Sequence, residues 1–190
     1  MIAEGTMESN VEVLVFQALK AYEDFALVQF LYDENPIVHG AAARELQIRG
    51  SKIAFDAAVA LVNRPEARLR DIGYFMLGQI GAGRPFKSQS VPLLVQGLSA
   101  DESTEVRAQC AAALGHLGAD EAANAFVLAA REESADVRAS VAAAIGGLTP
   151  TPALRELLRT LLADRDDDVR EWAEVSEETY AEIANNSRPQ

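Results

Sequence analysis

Cysteine, histidine and tryptophan are scarce in this chain of 190 residues, with one Cys, two His and one Trp. A lone Cys110 cannot close an internal disulfide, and neither cysteine spacing nor paired histidines supply a structural zinc set. That thiol usage fits a reducing compartment. Long hydrophobic runs are missing as well, since no apolar stretch reaches the roughly 18 residues of a membrane span. Met1 to Glu8 carries acids where a secretory leader would carry Lys or Arg. The expectation is a soluble, cytoplasmic protein. Basic charge is also short: 17 Lys plus Arg stand against 29 Asp plus Glu, for a net charge of -12. Phosphate backbones are held mainly by Lys and Arg, so neither nucleic acid nor a membrane is the expected partner.

What the chain does have is apolar surface, 49% of residues against 24% charged, which excludes disorder as its overall state. Its length suits one domain. The acidity is concentrated at the ends. Residues 1 to 34 hold 7 acids and one base, residues 35 to 163 hold 13 of each, and residues 164 to 182 hold 9 acids and 2 bases. Two readings fit: polar terminal faces on a stacked array, beyond which nothing packs, or long-range attraction of a basic partner.

An internal repeat organises the middle. Val38-His39, Leu69-Arg70, Val106-Arg107 and Val137-Arg138 superimpose as anchors, and Val169-Arg170 opens a degenerate fifth copy. Eight residues after the first four anchors stand Leu46, Leu77, Leu114 and Ile145, followed in three copies by Gly78, Gly115 and Gly146. A period of 31 to 37 residues indicates stacked supersecondary units. Each unit reads as two helices. The first carries an apolar stripe such as Val106, Cys110, Leu114 and Leu117, and ends near Gly50, Gly81, Gly118 or Thr149-Pro150. The second runs through Ile53 to Val62, Val91 to Leu98, Ala122 to Ala130 and Pro152 to Leu162. Pro36, Pro65 and Pro152 fall at expected helix starts, and Pro92 in an expected first turn.

The pattern Asp-x-x-Val-Arg-x-x-x-Ala-x-Ala-Leu-Gly-x-Leu, seen from Glu102 to Leu117 and again from Asp136 to Leu148, resembles the HEAT repeat family, and in particular its short, phycobilin-lyase-like subtype. The resemblance spans about residues 33 to 175. It implies an all-α superhelix with first helices outside and second helices lining a concave face. The single domain over 1 to 190 then divides into an N-terminal cap at 8 to 32, four repeats at 33 to 163, a closing helix at 164 to 184 and a tail at 185 to 190. The first copy departs most, with His39 in the Arg place and Gln47 in the Gly place. The column Arg70, Arg107, Arg138 and Arg170 is expected to pair with acids near the helix starts, Glu66, Glu105, Asp136 and Asp166 to Asp168, as a ladder between repeats.

Catalytic signatures are wanting. No His-Glu-x-x-His, Gly-x-Ser-x-Gly or phosphate-cradling glycine loop occurs. Gly78 to Gly83 follows a helix and not a strand, so it reads as a terminator. Asp164 to Asp168 begins like a calcium loop, but Val169 stands where Gly is needed and Val175 where a bidentate Glu is needed. His39 and His116 fall in different repeats, and Cys110 aligns with the small buried column of Ala42, Gly73 and Val141. No cofactor or metal is expected.

Two places are candidates for a partner. The longest spacing holds an insertion, Arg84 to Ser90, in which Phe86 beside Arg84 and Lys87 combines an aromatic with cations. Phe86 could equally fold back onto the core. On the second helices, the positions outside the buried columns vary from copy to copy: Phe55, Asp56 and Val59; Leu93 and Gln96; Asn124 and Val127; Arg155, Glu156 and Arg159. The expectation is a non-enzymatic adaptor or inhibitor that binds a protein along the concave face, with an immunity protein against a basic toxin domain as the narrower form. The competing class is a phycobilin-lyase-like enzyme or enzyme subunit.

Overall fold

The structure is a computed structural model that describes residues 4–80 and 83–186. Among the described residues all regular structure is helical. The chain forms two compact units, residues 1–86 and 87–190. In the first lie α1 (Glu4–Leu19), α2 (Asp24–Phe30), α3 (Pro36–Arg49), α4 (Lys52–Leu61) and α5 (Ala67–Gln79). In the second lie α6 (Lys87–Ala100), α7 (Thr104–Leu117), α8 (Ala123–Ala129), α9 (Ala135–Ile145), α10 (Pro152–Leu162) and α11 (Asp167–Asn186), with a single 3-10 turn at Asp120–Ala122 before α8.

Helix starts follow from capping side chains. Oxygens of Asn35, Ser51, Ser103, Ser134 and Thr151 accept the amides of Ile37, Ala54, Val106, Val137 and Leu154, so each helix has one of its orphan donors satisfied. Pro36 and Pro152 are the first residues of α3 and α10. Gly50 and Gly118 end α3 and α7 in the left-handed conformation, at φ 59 and 55. The expected terminator Gly81 lies outside the described residues. Two boundaries differ from expectation. Four residues of the supposed insertion, Lys87 to Ser90, are the first turn of α6, which places Pro92 inside that helix. And α9 stops at Ile145, ahead of Thr149, whose amide donates to Asp120.

In the second unit, first helices α7, α9 and α11 pack in series, and second helices α6, α8 and α10 pack in series beside them. The small residues at the ends of the repeats make this possible. A Cβ on Gly115 would lie 2.7 Å from the Ala144 Cα, and one on Gly146 would lie 2.6 Å from the Ser176 Oγ. Beneath these contacts Leu114, Ile145, Cys110, Val141 and Ala173 are fully buried. In the first unit, α1 packs on α3 and α2 on both α3 and α4, so the expected N-terminal cap is itself a helix pair. Gln47, where other copies have Gly, instead donates through Nε2 to the Gln79 Oε1 at 2.9 Å.

The arginine column is structural, and for Arg107 and Arg138 the paired acids are not the ones the sequence suggests. Each Arg turns back to clamp the carbonyls five and six residues before it: Arg70 those of Arg64 and Pro65, Arg107 those of Asp101 and Glu102, Arg138 those of Glu132 and Glu133. Arg170 takes that of Asp164 alone, and His39 stands in for the same contact, its Nδ1 2.9 Å from the Asp33 carbonyl. The free side of the guanidinium then reaches forward one repeat. Arg107 holds Glu132 rather than Glu105, and Arg138 holds Asp164 rather than Asp136. Arg170 pairs locally with Asp167, within the acids the sequence suggests.

Candidate functional site

The second helices present two kinds of position. One stripe is buried throughout: Ala58, Leu61 and Val62 on α4, Leu94 and Leu98 on α6, Phe126 and Ala129 on α8, Leu157, Leu158 and Leu161 on α10. The other carries the positions singled out for binding. Asp56, Gln96, Asn124, Arg155 and Arg159 are exposed, while Val59 and Val127 are half-buried. Phe55 departs from this set. It is only 5% exposed and extends the buried stripe of α4, because its position precedes Ala58 and Val62 by three and seven residues, one helical face.

Phe55 also settles the orientation of Phe86. The two rings stack with centroids 4.5 Å apart at 16°, so Phe86 folds back onto its own unit and is half-buried there. Lys87 is tied down as well. Its Nζ donates to the Gly118 carbonyl at 2.8 Å, covering the C-terminal end of α7 where a cation is favoured. Arg84 alone of the three stays fully open, held by a left-handed backbone at φ 52 that follows Gly83 at φ 75.

Within the second unit, α6 and α8 enclose a cleft of about 210 Å³ lined by Leu98, Ser99, Ala125, Leu128, Ala129 and Glu132. Leu128 is 65% exposed at this cleft. Column alignment sets it beside Ala60, Gly97 and Thr160, so it is the one bulky apolar residue of its column. That contrast within the column is the signal in the sequence, and the more polar neighbouring columns mask it. Arg131 lies one turn further on, exposed.

The charged residues on this layer are mostly engaged. Lys52 and Asp56 pair at 2.5 Å, Arg159 pairs with Glu156, and the Arg155 guanidinium lies 5.6 Å from the centre of the Tyr180 ring. Asp120 accepts the Thr149 amide and hydroxyl at 2.8 and 2.7 Å, which holds its carboxyl below the ordinary range. Asp164 is lowered chiefly by the Arg138 guanidinium, and Asp24 by the Ser51 hydroxyl. Among the described residues no cluster of His, Cys, Asp and Glu is arranged to hold a metal ion. No described helix is long and apolar enough to cross a membrane.

These features define a class, an α-solenoid of paired helices. Residues 91–176 match the model of the HEAT repeats family. No curated protein matches the chain. Among solved structures, YibA from E. coli shares 27% identity at a TM-score of 0.77, covering 94% of this chain. The chain spans 64% of YibA's length. The CpcE–CpcF complex of phycocyanin lyase from Nostoc sp. PCC7120 is 17% identical at a TM-score of 0.68, covering 81% of this chain and 97% of that one. A designed armadillo repeat protein in complex with the peptide (KR)4 is 15% identical at a TM-score of 0.54, covering 94% and 95%. The last two share the fold.

Proposed function

We propose that this chain is a non-enzymatic protein-binding solenoid, an adaptor or inhibitor that takes a protein partner along its second-helix layer, the surface that the HEAT resemblance implies is concave. The observation that carries this reading is the exposed Leu128 at the α6–α8 cleft, with Asn124 open one turn before it on α8 and Gln96 open on α6, beside a buried apolar stripe. An apolar anchor in a cleft with a polar surround is the arrangement expected of an interface hot spot. Asp24, Asp120 and Asp164, whose carboxyls are held below their ordinary range, each have a structural partner, which supports a binding role over chemistry.

The narrower form of the proposal is a cytoplasmic protein with a basic partner, such as an immunity protein neutralising a basic toxin domain. The net charge of -12 supports it, as does the (KR)4 peptide held by a designed protein of the same fold. The layer itself mixes Arg131, Arg155 and Arg159 with Glu121 and Glu156, so the acidic excess acts at a distance, by raising the encounter rate. The test is affinity capture with the wild-type chain and with a Leu128→Ser/Gln96→Ala/Asn124→Ala variant, read by mass spectrometry. A polypeptide enriched by the wild type and lost with the variant is expected. Equal recovery by both would contradict the proposal, and a pigmented complex on co-expression with a tetrapyrrole would support the lyase-like class instead.

A further inference from the structure

Helix α11 carries three faces. Val169, Ala173, Ser176 and Tyr180 are buried, with the Ser176 hydroxyl donating to the Ala142 carbonyl at 2.6 Å and the Tyr180 hydroxyl to the Ile145 carbonyl at 2.7 Å. Glu171, Glu174, Glu178 and Glu182 form an exposed acidic row. They occupy the positions at which α7 has Ala108, Ala111 and Gly115 and α9 has Ala139, Ala142 and Gly146, the small residues on which the next helix sits. Four glutamates there stop a further helix from seating as closely as α9 does on α7 and α11 on α9.

Stopping the array does not require the third face. One residue on from each glutamate, Trp172, Val175, Thr179 and Ile183 recur at the same helical spacing, and Trp172, Val175 and Ile183 are 49%, 47% and 41% exposed. The matching positions on α7 and α9 are Gln109, Ala112 and His116, and Ser140, Ala143 and Gly147. Of the three first helices of this unit, α11 alone puts large apolar side chains there, next to a continuous row of carboxylates that make no ion pair among the described residues.

We propose that this face of α11 is a second docking surface, which takes a basic amphipathic helix: its apolar stripe covers Trp172 and Val175, and its Lys or Arg row lies along Glu171, Glu174, Glu178 and Glu182. Charge complementarity selects this occupant. A second copy of α11 would set glutamates against glutamates, and an anionic membrane would be repelled by the same row. The surface is separate from the second-helix layer, so it stands or falls independently of that assignment.

Trp172 is the only tryptophan in the chain, so the emission of the full-length protein reports on this face. The probe is a synthetic amphipathic helix with Leu along one stripe and Lys along the next, compared with its Glu-for-Lys counterpart. Titration with the Lys peptide is expected to move Trp172 emission to the blue, saturably, and the Glu peptide to leave it unchanged. Glu174→Lys/Glu178→Lys should weaken the Lys peptide about tenfold or more, whereas Leu128→Ser/Gln96→Ala/Asn124→Ala should not. The proposal is overturned if neither peptide shifts the emission, if both do so equally, or if charge reversal leaves the affinity intact. It is also overturned if raising the protein concentration alone gives the shift, which would make a second copy the occupant, or if phosphatidylserine vesicles give it and the Lys peptide does not.

Discussion

Arg138 and Asp164 meet side to side across a repeat boundary, Nε donating to Oδ2 and Nη2 to Oδ1, each at 2.8 Å. The remaining nitrogen of Arg138 is bonded to the carbonyls of Glu132 and Glu133. One side chain thus closes its own turn and fastens the next, and with side chains 6% and 12% exposed the pair is well shielded from solvent.

Asp164→Ala should therefore destabilise by about 2 to 3 kcal/mol, the range for hydrogen bonds to charged groups, as measured by urea unfolding at neutral pH. The carboxyl is held below its ordinary value of 3.8, so its contribution is complete above that value and fades as pH falls through the folded pKa. The gap between wild type and Asp164→Asn should accordingly stay constant from neutral pH down to about 4 and close below it. A gap that widened on acidification would mean the pair is miscast.

Substitutions at two glycines separate close packing from propensity. Gly40 has nothing within 4 Å of a Cβ and lies within α3, so Gly40→Ala should stabilise by about 0.5 to 1 kcal/mol. Gly115→Ala gains the same propensity but drives a methyl to 2.7 Å from the Ala144 backbone, where nothing flexible can yield, and should destabilise by about 1 to 3 kcal/mol. Thermal unfolding of the two variants should move in opposite directions.

Leu114 is fully buried in the α7–α9 contact, and Leu114→Ala should cost about 2 to 5 kcal/mol. A negligible change in the unfolding midpoint would show that the repeat register is wrong.

Burial raises the Tyr180 phenol to about 12. Because the folded value lies above the ordinary 10.0, its contribution is intact below pH 10 and is lost as pH rises through the folded pKa. Absorbance titration should show a late tyrosine step accompanied by loss of helical signal, and Tyr180→Phe should diminish that step.

Much of this was legible in the sequence because a repeat states its own rules several times over. Val106, Cys110, Leu114 and Gly115, read beside their counterparts, placed the first helices, their buried column and the close glycine contact. The Arg ladder was legible as a column but not in the partners of Arg107 and Arg138, since Glu132 and Asp164 lie 25 and 26 residues ahead and only packing brings them near. The α6 start was missed because Pro92 argues for an early boundary, whereas the fold keeps helix for five residues before it. Phe55 was read as surface because its column is otherwise polar or small, and nothing local shows that Phe86 will cover it. The α11 face escaped because its acids were read as one charge run, without the apolar row that alternates with them.

The central claim is that a protein partner binds the second-helix layer, and the most direct test is the affinity of the captured partner for Leu128→Ser and for Gln96→Ala/Asn124→Ala. These side chains are exposed, so the melting temperature should hold while at least one variant loses about 2 kcal/mol or more, roughly thirtyfold in Kd. Wild-type affinity in both variants, with a comparable loss on Arg84→Ala, would move the binding edge to the loop before α6 and contradict the account.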